Sequence, residues 1–168
     1  MIAYAIPGFV LVSALSTIVP EIKIWLVGLE SIGPNIAGFL FSGTSSIAAG
    51  LVVSAIRWAF VDSILHRTGL RPPSWEDPEI HQRLNLVSFL VDAHYRYYQF
   101  YANTAVSGML AIGLLLIDGG AGLARSSPLL MASILTVIVL FAASRDALAK
   151  YYRRMSGSLR PDSGSPPT

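Results

Sequence analysis

Four stretches of this chain carry no charged side chain: Ile2 to Val19, Ile36 to Ile56, Phe100 to Ile117 and Ser126 to Ser144. Each approaches or reaches the roughly 20 helical residues, about 30 Å, that cross the hydrocarbon core of a bilayer. The pattern predicts four spans, over about 2–19, 36–56, 99–117 and 127–144. The first run lacks a basic start and holds Pro7 and Gly8 early, so it reads as a retained span and not as a cleaved leader.

A polar stripe crosses this apolar pattern. His81, Asn85, Ser88, Asp92, Arg96, Gln99, Asn103 and Ser107 stay within an arc of about 100° over seven turns if the segment is one regular helix. Its last members enter the third span. Polar groups there need protein or water beside them, so the stripe is expected to face another protein surface. A second pattern runs through span two, where Gly38, Ser42, Ser46, Gly50 and Ser54 recur at every fourth position. Small residues at that spacing predict a close helix-packing seam with a right-handed crossing of about 40°. Antiparallel pairing of spans two and three would bring Ser54 near Asn103.

The connections are equally readable. Pro20 and Glu21 open a short interfacial helix with Ile22, Trp25, Leu26 and Leu29 on one face, which Gly33-Pro34-Asn35 ends. Span two continues as a helix through Asp62 and His66 to Thr68-Gly69, and Arg71-Pro72-Pro73 then forces a turn. Asp77-Pro78-Glu79 predicts the cap of the striped helix, which runs on to Ile117, and Asp118-Gly119-Gly120 closes it. The expected fold is therefore an all-α membrane protein, a four-span helical bundle with a cytoplasmic helix-turn-helix extension over 57–98. Its transmembrane domain covers 1–155, and 156–168, poor in anything to bury, is expected to be a disordered tail.

Composition supports the membrane reading, with 53% hydrophobic and 13% charged residues. Orientation follows the basic residues. Arg57, Arg67, Arg71, Arg83 and Arg96 lie between spans two and three, and Arg145, Lys150, Arg153, Arg154 and Arg160 follow span four, against only Lys23 and Arg125 elsewhere. This bias predicts a cell-membrane protein with both termini cytoplasmic. The seven tyrosines cluster at the same predicted boundary.

Candidate chemistry is sparse. Without cysteine there is no thiol nucleophile, thiolate ligand or disulfide. The central part of each span lacks His, Lys and carboxylates, which leaves the serines of span two without a base and gives no ion or proton coupler. Asp92, His94 and Arg96 are the weak candidates for catalysis, and Asp92 with Arg96 and Gln99 the candidates for a headgroup or nucleotide site. The histidines do not form a metal site: His81 and His94 point about 140° apart on one helix, and no metal or cofactor is expected. Four acid-to-base pairs at helical spacing, Asp62–His66, Glu79–Arg83, Asp92–Arg96 and Asp146–Lys150, read as solvated helix surface.

The cytoplasmic basic residues alternate with acids, which favours anionic lipid headgroups over nucleic acid as partner. The expected function is a non-enzymatic sensor, scaffold or membrane-effector subunit, working as a homo-oligomer or with a membrane partner protein. The alternatives are a passive oligomeric pore and a membrane-boundary enzyme acting on a lipid headgroup.

Overall fold

Proline at position 7 shapes the first helix. The structure, a computed structural model, describes residues 2–27, 36–70, 72, 84–117 and 128–158. Helix α1 spans Ile2–Ile18, and Pro7 lies inside it, fully buried. A proline has no N–H, so the carbonyl one turn earlier, that of Ala3, receives no helical hydrogen bond. Pro20 then ends α1 by restricting the residue before it and starts α2, Pro20–Val27, where the missing N–H is harmless.

Helix α3, Ile36–Arg57, is 22 residues long, about 33 Å. Ser42 and Ser45 donate their hydroxyls to the carbonyls of Gly38 and Phe41, so these polar groups are satisfied within their own helix. The helix does not stop at Arg57. It widens into a π turn, Trp58–Asp62, and continues as α4, Ser63–Arg67. Gly69, at φ 95°, closes α4: its N–H reaches the His66 carbonyl and that of Leu70 reaches Leu65, the pattern of a left-handed glycine cap. Thr68-Gly69 thus ends this helix where the sequence places its end.

The striped segment resolves into α5, Leu84–Leu90, a second π turn, Val91–Tyr95, and α6, Arg96–Ile117. Helix α7, Pro128–Ser158, is the longest at 31 residues. The described residues form no strand, and three continuous helices, Ile36–Arg67, Leu84–Ile117 and Pro128–Gly157, are long and apolar enough to cross a membrane. Helix α1 is apolar but shorter. The Gly33-Pro34-Asn35 turn, Leu29, the Arg71 and Pro73 positions, the Asp77-Pro78-Glu79 cap, His81, the Glu79–Arg83 pair, Asp118-Gly119-Gly120 and residues 159–168 lie outside the described residues.

The long helices pack in a row. Helix α1 lies between α3 and α6, which also touch each other directly, and α7 packs on the far side of α6. Glycines make the first contact intimate. A Cβ on Gly8 would fall 1.7 Å from the Ser46 carbonyl oxygen, and one on Gly50 would fall 2.0 Å from that of Tyr4. The small-residue seam of α3 therefore packs on α1, antiparallel to it, and it is Ser46 and Gly50 that are buried there. Gly38, Ser42 and Ser54 are only half-buried. A Cβ on Gly108 would meet the Val137 methyl at 2.7 Å, which brings α6 and α7 together in the same way.

The buried core lies at one end of this row, where charges also gather. Val53, Val61, Leu65, Leu90, Tyr98, Ala102, Val106, Leu148, Tyr151 and Met155 form one cluster contributed by α3, its continuation, α5, α6 and α7. The other half shows its apolar side chains outward, among them Phe39, Leu40, Ile117, Leu129 and Met131. The charged end exposes apolar side chains too, Trp58, Phe60 and Phe89 among them, so the two ends differ in packing and charge, and the uncharged half is the one a bilayer can surround.

Candidate functional site at the charged end

The two π turns sit at the same end and place an ionic cluster between them. Residues five apart diverge on a regular α-helix, but across an i→i+5 turn they face each other. Arg57 donates from Nη1 to Asp62 Oδ1 at 2.9 Å and to Oδ2 at 3.3 Å. The Tyr98 hydroxyl donates to the same Oδ1 from α6, and the Arg57 guanidinium lies over the Tyr98 ring at 5.1 Å. Arg57 is 4% exposed and Asp62 16%. This is a buried charge pair with a phenol as its third member, and it joins the α3 continuation to α6.

Asp62 is therefore not the helical partner of His66. His66 instead reaches across to α7, where its Nε2 is 3.2 Å from the Tyr152 hydroxyl. Around the pair, Tyr95 packs on Tyr98 and on Tyr151, which packs on Tyr152. Four of the seven tyrosines, Tyr95, Tyr98, Tyr151 and Tyr152, thus form a connected aromatic contact that joins the second π turn and α6 to α7. Tyr97, which packs on Tyr101, stays outside it and exposed.

The polar stripe does not keep one environment. Asn85, Ser88, Asp92 and Arg96 are exposed, Gln99 is half-buried, and Asn103 and Ser107 are fully buried. The second π turn is one cause, because it rotates the residues before it relative to those after. Asn103 donates from Nδ2 to the Ala3 carbonyl at 2.9 Å, so the helix that engages it is α1.

The three candidates for chemistry separate. Asp92 and Arg96 form an exposed ion pair, Nε to Oδ1 at 2.8 Å, and both line an open groove of about 540 Å³ with Ile2, Ala3, Tyr97 and Phe100. His94 turns elsewhere: its Nε2 is buried without a hydrogen-bond partner among the described residues, and Arg154 and Lys150 of α7 lie within electrostatic range. Among the described residues no three His, Asp or Glu side chains gather where they could hold a metal. The Asp146–Lys150 pair, at 2.6 Å, is a second exposed surface pair. Sequence reasoning missed the Arg57–Asp62–Tyr98 cluster; the five-residue spacing of Arg57 and Asp62 was the available signal, hidden by assuming regular α pitch.

No family model matches this chain, nor does any curated protein or solved structure match it.

Proposed function

We propose that this chain is a small multi-pass membrane protein without catalysis of its own, a sensor, scaffold or membrane-effector subunit that works as an oligomer or with a membrane partner. In this reading all four apolar helices span the cell membrane, α1 included, and both termini and the α4–α5 extension are cytoplasmic. The reading rests first on one observation: the long helices form an open row, and α7 packs chiefly on α6 while Leu135, Ile138 and Val139 are exposed. A helix held on one side has room for a neighbour in the bilayer. The separation of His94 from Asp92 and Arg96 supports the non-catalytic part, since an acid–base site needs its members within reach of one substrate.

The chain has no cysteine, so single-cysteine variants report without background. Oxidative cross-linking in native membranes of Leu135→Cys, Ile138→Cys and Val139→Cys is expected to yield covalent dimers at one of these positions. Monomer at all three, with the variants present in the membrane fraction, would overturn self-association through α7. Impermeant maleimide should label Ser156→Cys only after the membrane is opened from the cytoplasmic side.

A further inference from the structure

The groove between the start of α1 and the start of α6 has the lining of an amphipathic ligand site. Asp92 and Arg96 are the last charged residues before the uncharged remainder of α6, so the groove lies where charge gives way to apolar helix surface. Ile2, Ala3 and Phe100 supply apolar walls, Tyr97 an aromatic edge, and Asp92 with Arg96 one charge of each sign. The groove's volume of about 540 Å³ is that of a small-molecule site.

The ion pair in it is only loosely committed. Its Asp92 and Arg96 side chains are 54% and 67% exposed, and the contact is made by Arg96 Nε. An exposed pair one helical turn apart contributes about 0.2–0.5 kcal/mol, so a ligand that carries both charges can exchange with it. A ligand with a phosphate alone would be drawn by Arg96 and repelled by Asp92. One carrying a phosphate and an ammonium satisfies both.

We infer that this groove binds a zwitterionic phospholipid bearing a primary ammonium, of the phosphatidylethanolamine class, with the phosphodiester on Arg96, the ammonium on Asp92 and an acyl chain along Ile2 and Phe100. The inference rests on the reading of α1 and α6 as membrane spans. It assigns the Asp92–Arg96 pair in the middle of the polar stripe a ligand, and it selects a neutral lipid where the basic residues of the chain as a whole would select an anionic one.

The test is native mass spectrometry of the full chain released from nanodiscs made of equal parts phosphatidylethanolamine and phosphatidylglycerol with identical acyl chains. The wild type is expected to retain the ethanolamine lipid about threefold over the glycerol lipid, the scale of one exposed charge contact. Asp92→Asn should remove the preference while phospholipid is still retained, and Arg96→Gln should strip adducts of both lipids. Lys150→Gln, in the other exposed pair, should change neither. Equal retention by the wild type, a preference for the glycerol lipid, or equal losses in Arg96→Gln and Lys150→Gln would overturn the site. Both positions are exposed, so folding is not at stake. A chain that never enters nanodiscs would instead fail the membrane reading itself.

Discussion

Asn103 supplies to Ala3 the hydrogen bond that Pro7 withholds. Its Nδ2 meets the Ala3 carbonyl at 2.9 Å, four residues before the proline whose nitrogen carries no hydrogen, and the asparagine is fully buried in doing so. A backbone acceptor and a side-chain donor, each costly to bury alone, are each other's remedy.

Asn103→Leu is expected to lower stability by about 1–3 kcal/mol, because it leaves the part-buried Ala3 carbonyl without its side-chain donor. Pro7→Ala in the same chain should recover much of that loss, since an alanine at that position can make the helical bond that proline cannot. Unfolding of the two single variants and the double variant in detergent measures the coupling. Strict additivity would show that the two positions act independently.

Gly8→Val and Gly50→Val should detach α1 from α3, because any Cβ would overlap backbone atoms that cannot yield. The loss expected is about 2 kcal/mol or more. Gly43, on the same helix as Gly50, has open space beside it, and Gly43→Ala should be neutral or stabilise by up to about 1 kcal/mol. Thermal melts of the three variants, read side by side, separate a packing effect from a general sensitivity of α3.

Asp62→Ala removes the carboxylate bonded to a guanidinium that is 4% exposed, and should destabilise by about 3–5 kcal/mol. Tyr98→Phe removes one hydrogen bond and keeps the ring under Arg57, so its cost should be smaller, about 1–3 kcal/mol. Arg57→Met combined with Asp62→Ala should be milder than Asp62→Ala alone, because no unpaired charge is left inside. Denaturant titration of the four proteins ranks them.

Lys150→Gln breaks a short ion pair, 2.6 Å, yet both partners are exposed and the change in stability should stay within about 0.5 kcal/mol. A loss comparable to that of Asp62→Ala would mean that Lys150 is enclosed in an assembly.

The apolar runs and the glycine cap were legible because they rest on local rules: about 20 uncharged residues for a helix across a membrane, and a positive φ at Gly69 to end one. Of the small residues spaced along α3, Ser46 and Gly50 are buried against α1, a partner the spacing did not name. Spacing shows that a helix can be approached closely and is silent on which helix approaches, and the burial of Gly8 in α1 names it. The polar stripe fared differently because its geometry assumed about 3.6 residues per turn throughout. Neither π turn has a marker in Trp58–Asp62 or Val91–Tyr95 that periodicity alone would catch. Regular pitch sets Arg57 and Asp62 about 140° apart; one widened turn brings them together, and the buried cluster follows.

The Arg57–Asp62 bridge also sets the pitch of the helix that carries it. Were the turn at Trp58–Asp62 to tighten to the ordinary repeat, the two side chains would swing to about 140° apart and the bridge would part. The bond and the wide turn thus persist or vanish together. Everything beyond Asp62, including His66 and its contact with Tyr152, takes its azimuth from that turn, which the Arg57 guanidinium and the Tyr98 hydroxyl secure together, as two pawls hold a wheel.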